Sequence, residues 1–192
     1  MNDSTPPITV LCTLGLAGVM AQLAPRFEAD SGCPLALRLG PAHALVAEIE
    51  AGAPFDVAIL TATALDALAG RDKIVPGSRA DIARSCVGVT IPPGAAKPDI
   101  STVAAFTGAL LQARSIIFTA LGASGQHFAS ILPRLGIEQE VRRKATVRDG
   151  LVAEAVVRGE FDIGIQQVSE ILAVAGAILL GPIPDAVQKY TV

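Results

Sequence analysis

Four short segments hold the residue types best suited to bind a small ligand: Thr13-Leu14-Gly15, Gly40-Pro41-Ala42-His43, Thr61-Ala62-Thr63 and Gly122-Ala123-Ser124-Gly125-Gln126. Each is built of small or uncharged residues at the entry to an expected helix. Helix N-termini carry partial positive charge and unpaired N–H donors, so such segments can surround a small anion without a formal cation. Ordinary strand-to-helix turns share this composition, and each segment taken singly also fits a plain cap. Gln166 and Gln167 end a further apolar run, where two amides that both donate and accept would face the same side as these loops. Arg148 and Arg84 are the cations placed to meet an anion.

Catalytic arrangements are scarcer. Gly122-Ala123-Ser124-Gly125-Gln126 approaches a nucleophile elbow, but Gln126 stands where that motif needs its last glycine. Of the two histidines, His127 directly follows Gln126, a poor place for a triad base, and Ser124 reads better as a helix cap. His43, at an expected helix start, is the preferred titratable candidate. Asp56, Glu160 and Asp162 lie near strand starts, on the side away from the loops, and form no acid/base pair. Cys12, Cys33 and Cys86 are odd in number and far apart, which suggests buried thiols rather than disulfides or a metal site, and no cofactor is implied.

The elements that must position these residues follow from composition and periodicity. With 192 residues, 51% of them hydrophobic and 17% charged, the chain can bury a core and is no disordered tail. A net charge of −3 without a basic block argues against nucleic acid. Six Phe, one Tyr and no Trp leave few stacking platforms for sugars or single strands. Residues 4–25 are uncharged, but Pro6, Pro7, Gly15 and Gly18 cut them into a strand and a helix, and the start Met1-Asn2-Asp3 is acidic. Neither a spanning helix nor a signal peptide is expected, which implies a cytoplasmic protein as written, or a periplasmic one if the start is misassigned.

Apolar runs at 8–12, 35–39 and 55–60 are each followed by a helical pattern, the first carrying Leu16, Val19, Met20, Leu23 and Phe27 on one face. The third helix is expected to begin with a capping box at Thr63 and Asp66. Three βα units in a row imply a parallel sheet. The rhythm breaks around Pro76-Gly77-Ser78-Arg79 and resumes with strands at 86–91, 115–119, 144–147, 161–165 and 177–180, with Ser101 and Ser124 as helix caps. The fold class expected is α/β, with mainly parallel sheets flanked by helices and a second lobe beginning after residue 80.

The 8–11 strand, the helix ending Pro25-Arg26-Phe27-Glu28-Ala29-Asp30-Ser31-Gly32, the segment Glu50-Ala51-Gly52-Ala53-Pro54-Phe55-Asp56-Val57 and the later stretch 157–165 together resemble the molybdate-type solute-binding proteins of ABC transporters. The resemblance spans nearly the whole chain. It implies a type 2 periplasmic-binding-protein fold in two lobes, 1–80 with 185–192 returning to it and 81–184, a solute held between them, and an ABC permease as partner. Members that bind molybdate place serines in the first two loops, where this chain has Gly15 and Pro41-Ala42-His43, and Gln167 replaces a ligand-touching tyrosine. A small organic acid therefore becomes as good a candidate as molybdate. Family members also return to the first lobe with further helices after the point reached at Tyr190-Thr191-Val192, so an uncovered apolar face and self-association are expected.

The expected function is a non-catalytic binding protein for a small anionic or polar solute, with ligand contacts from Thr13, Gly15, Pro41, Ala42, His43, Thr61, Ser124, Gly125, Gln126, Arg148, Gln166 and Gln167. A ligand-sensing effector domain is the alternative. An isomerase or lyase on the same fold, using His43 with Gln166 and Gln167, is the third reading.

Overall fold

The structure, a computed structural model, describes residues 5–191; the acidic start Met1-Asn2-Asp3 and the final Val192 lie outside the described residues. The described chain divides into two compact units, the first reaching Ala83 and the second running from Arg84 to Thr191. No helix among the described residues is long and apolar enough to cross a membrane.

In the first unit, β1 (Ile8–Thr13), β2 (Leu35–Gly40) and β3 (Val57–Ile59) form a parallel sheet in the order β2-β1-β3. Val10 lies opposite Leu37 on one side and Val57 on the other. Their connections are α1 (Ala17–Ser31) and α2 (Ala42–Glu50), and α3 (Ala62–Ala69) follows β3. From β1 the chain moves outward to β2 and then back past β1 to β3, so right-handed crossovers send α1 and α2 to opposite faces. On the α2 and α3 side Leu11, Leu45, Ile49, Leu60 and Leu68 make a closed core. The third strand is shorter than the 55–60 run predicts, because Asp56 turns aside and accepts the Thr9 N–H at 2.8 Å.

The apolar stripe of α1 does not behave as its spacing predicts. None of its residues is buried, and Val19, Leu23 and Phe27 are 44–49% exposed. Leu39 of β2 and Val57 of β3, which share a face with Val10 and Cys12 by strand alternation, are also open. Val10 and Cys12 at the centre of this face are buried, so its cover is partial, reaching the middle strand but not Leu39 and Val57 beside it.

The second unit holds β4 (Ser85–Ile91), α4 (Val103–Gln112), β5 (Ile116–Phe118), α5 (Ala123–Leu135), α6 (Glu138–Arg142), β6 (Ala145–Val147), α7 (Val152–Val157), β7 (Ile163–Gln167), α8 (Val168–Leu172), β8 (Ile178–Pro182) and β9 (Tyr190–Thr191). Its sheet runs β6-β5-β7-β4-β8, with β9 also pairing β4. Strands β5, β6 and β7 are parallel as expected, whereas β4 runs antiparallel to β7, β8 and β9, so this sheet is mixed. Phe106, Leu110, Phe118, Phe128, Ile163 and Ile165 fill the larger core on one face, with the Phe118 and Phe128 rings edge to face. Ile117, Val152 and Val156 pack on the other.

Residues 185–191, assigned by the resemblance to the first lobe, are hydrogen-bonded within the second unit. Tyr190 and Thr191 pair with Cys86 and Ser85. Between that pair and β8, the side chain of Gln188 accepts the Val87 N–H at 2.9 Å and donates to the Val87 carbonyl at 2.8 Å. Arg84, a sequence candidate for anion binding, instead lies over the Tyr190 ring, 4.2 Å from its centroid.

Candidate functional site

Parallel strands end at a common edge, and in the first unit all three loops of interest gather there. Thr13 ends β1 and leads into a 3-10 turn, Leu14–Leu16, that contains Gly15 and makes no side-chain cap bond to Thr13. Pro41 starts α2 with no side-chain cap, and the carbonyl of Pro41 takes the N–H groups of Ala44 and Leu45. Ala42 and His43 occupy the first turn, where backbone N–H groups have no acceptor within the helix. The His43 side chain is exposed. At the third loop the cap is Thr61 rather than Thr63: its Oγ1 accepts the Ala64 N–H at 3.3 Å, and Thr63 lies inside the helix. The hydroxyl of Thr61 keeps its own proton free to donate.

In the second unit the corresponding edge is formed where β5 and β7 end, and its centre is a residue that sequence reasoning left without a role. Thr119 follows β5 directly, and the register of Phe118 with Ile165 brings it level with Gln166. The chain then folds back over it. A Cβ built on Gly122 would stand 2.5 Å from Thr119 Oγ1, and one on Gly125 would stand 1.8 Å from the Thr119 carbonyl oxygen. Only glycine permits this wrapping. A strand-terminal threonine followed by two glycines three residues apart was the available signal.

Ser124 is not the cap of α5. Gly122 adopts the extended cap conformation and the helix begins at Ala123, which places Ser124 in the first turn. Its side chain is 1% exposed, and its Oγ has no hydrogen-bond partner among the described residues; the same holds for Thr119 Oγ1 at 5% exposure. Two buried, unpartnered hydroxyls at the N-terminus of a 13-residue helix are donors aimed at nothing in the unit itself. Gly125 supplies the close approach. Gln126 is exposed and donates from Nε2 to the Leu121 carbonyl at 3.2 Å, which closes the loop, and His127 is taken up by the Val187 carbonyl at 2.7 Å.

The two glutamines at the end of β7 have different fates because strand alternation sends them to opposite faces. Gln166 is 1% exposed; its Oε1 accepts the Ala153 N–H at 3.1 Å and its Nε2 donates to the Gly150 carbonyl at 3.1 Å. It ties down the start of α7. Gln167, 7% exposed, donates from Nε2 to Thr191 Oγ1 at 3.0 Å and leaves Oε1 without a partner among the described residues. Glu170, unnoticed in the sequence, lies beside them: burial pushes its carboxyl above the ordinary range, against hydrogen bonds from the Gln166 side chain and the Gln167 backbone.

Arg148 joins this edge through its backbone, donating its N–H to Phe118 at 3.1 Å, but its guanidinium turns to Glu160 at 3.7 Å. With Asp149, Glu154 and Arg158 it borders an open hollow of about 180 Å³ whose charges are of both signs. Among the described residues no three His, Cys, Asp or Glu side chains gather as a metal set. The structure thus brings Thr13, Gly15, Pro41, Ala42, His43 and Thr61 to one edge of the first unit. It brings Ser124, Gly125, Gln126, Gln166 and Gln167 to one end of the second.

Residues 8–192 match the family model described as bacterial extracellular solute-binding protein. A protein from Pseudomonas sp. named aconitate isomerase is 34% identical over 191 residues, covering 96% of this chain and 72% of that protein. Among solved structures, the periplasmic molybdate-binding protein of Azotobacter vinelandii superposes with a TM-score of 0.75 at 20% identity, over 96% of this chain and 84% of that one. The reduced regulatory domain of OxyR2 from Vibrio vulnificus superposes at 0.62 with 12% identity, over 100% and 86%. Both structures share the fold. The expectation of a non-catalytic protein is overturned by the isomerase relative, whose identity is far above that of either structure.

Proposed function

The chain belongs to the bacterial extracellular solute-binding protein family, and from that premise we propose that it binds a small unsaturated polycarboxylic acid and isomerises it. The observation that carries the reading is the pair of buried, unpartnered hydroxyls of Thr119 and Ser124 at the start of α5, a donor set suited to a carboxylate. The 34% identical aconitate isomerase supplies the reaction class. The loss of serine from the first two loops, at Gly15 and at Pro41-Ala42-His43, weighs against molybdate.

Isomerisation of such an acid moves a double bond, and one route is an allylic proton shift. A base removes a proton from the methylene carbon, the C–H electron pair delocalises through the C=C into a conjugated carboxyl group, and the proton returns at the far end of the allyl system. No redox partner is required. His43 is the base we assign, an accessible imidazole that can take the proton and give it back as imidazolium. Hydroxyl and N–H donors on a carboxyl group would stabilise the negative charge that accumulates there.

The test is interconversion of cis- and trans-aconitate followed by chromatography. Wild type should turn over, and His43→Ala should lose on the order of 100-fold or more in kcat while still binding. A wild type that binds aconitate but never interconverts it overturns the isomerase reading.

A further inference from the structure

We infer that Thr191 is a positioning residue for Gln167, and that this pair, not Gln166, offers the amide that receives a carboxyl group of the ligand. The inference deepens the reading above and rests on its ligand class.

Gln166 has nothing left to give. Its carbonyl oxygen accepts the Ala153 N–H, and its amide nitrogen serves the Gly150 carbonyl and the Glu170 carboxyl. Gln167 is buried to a similar degree, yet only one end of its amide is engaged, by the Thr191 hydroxyl at 3.0 Å. The other end meets no partner among the described residues. A side-chain amide buried to this extent with a free end is costly unless something arrives to pair with it. Gln167 shares its face of β7 with Ile163 and Ile165, against which α5 packs, so its amide lies on the helix side that carries Ser124.

The partner that fixes this amide is itself held in register. Thr191 pairs with Ser85 of β4, and Val87 of the same strand lies opposite Gln167. A threonine hydroxyl both donates and accepts, so it can hold either end of the amide. The free end can then donate to a carboxylate or accept from a protonated carboxyl or a hydroxyl. A fully ionised tetrahedral oxyanion needs donors only. A polycarboxylic acid, which changes protonation as it reacts, is served by both.

The experiment is a double-mutant cycle on aconitate affinity, measured by calorimetry on the full chain with Thr191→Val, Gln167→Leu and the pair of changes together. Valine keeps the branched shape that suits β9 and removes only the hydroxyl. Thr191→Val should weaken aconitate binding about tenfold, Thr191→Ser should restore it, and Thr191→Val should have no further effect in the Gln167→Leu background. Equal losses in both backgrounds, or unchanged binding in Thr191→Val, would overturn the assignment. Because affinity is read rather than turnover, a protein that binds aconitate without isomerising it leaves the cycle decisive; a wild type that binds none sinks both readings.

Discussion

A Cβ placed on Gly125 would sit 1.8 Å from the carbonyl oxygen of Thr119, closer than any side chain can come. The obstacle is backbone, which cannot swing aside as a flexible side chain can. Gly125→Ala must therefore move the first turn of α5 away from β5, at a cost of about 1–3 kcal/mol or more. Urea unfolding should show the loss, and aconitate affinity should fall with it. An alanine variant as stable as wild type would mean that the loop does not wrap Thr119 in this way.

Ser124→Ala should separate stability from binding. The hydroxyl is buried and has no hydrogen-bond partner among the described residues, so removing it relieves an unmet demand. The melting temperature without ligand should stay level or rise, while the dissociation constant for aconitate increases about tenfold. A fall in melting temperature with unchanged affinity would assign the hydroxyl a purely internal role.

Glu170 gives the pH dependence. Burial raises its carboxyl in the folded protein above the value of 4.5 expected of an exposed glutamate. The folded state thus holds a proton that the unfolded chain has already released, and stability must fall as pH rises from the ordinary carboxyl range through the raised value. Glu170→Gln has no proton to lose. Its melting temperature should match wild type near about pH 4 and exceed it increasingly toward neutral pH. Parallel curves across that window would remove Glu170 as the cause.

The two sides of the first unit should respond differently to mutation. Leu45, 1% exposed on α2, belongs to a closed core, and Leu45→Ala should cost about 2–5 kcal/mol. Leu23 on α1 is half open, and Leu23→Gln should change stability by no more than about 0.5 kcal/mol. Light scattering should show less self-association in the Leu23→Gln variant, because it removes apolar surface from an uncovered stripe.

Much of this architecture was legible in the chain. The runs from Ile8, Leu35 and Cys86 announced strands because short, mainly aliphatic and β-branched segments bounded by Gly and Pro have few other places to go, even with Arg38 and Gly88 inside them. Periodicity also announced α1, but it could not say whether Val19, Leu23 and Phe27 would find cover, since that depends on elements remote in sequence. The helix starts misled for a local reason. Ser124, Thr63 and Ser101 are good capping residues, yet the caps are Gly122 and Thr61, two residues earlier, and Thr102, one residue later, because the preceding strand or loop sets where the chain enters each helix. Thr119 was invisible because its role comes from the β5–β7 register and from two glycines that let the loop descend on it. Gln166 and Gln167 looked equivalent as neighbours, and only the alternation of β7 distinguishes a structural tie from a free amide.

Gln188 has a consequence beyond its four side-chain hydrogen bonds. Strand β4 loses β8 at Gly88 and gains β9 at Cys86; at Val87 between them the carbonyl still accepts the Ile183 N–H, but without Gln188 the Val87 N–H would be bare and the C=O would lose its second donor. The glutamine amide, a copy of the peptide unit in miniature, meets both. The sheet thereby offers no gap at this point where an extended segment of another chain could dock and seed aggregation. One polar side chain guards the seam, and an aliphatic residue in its place would open it.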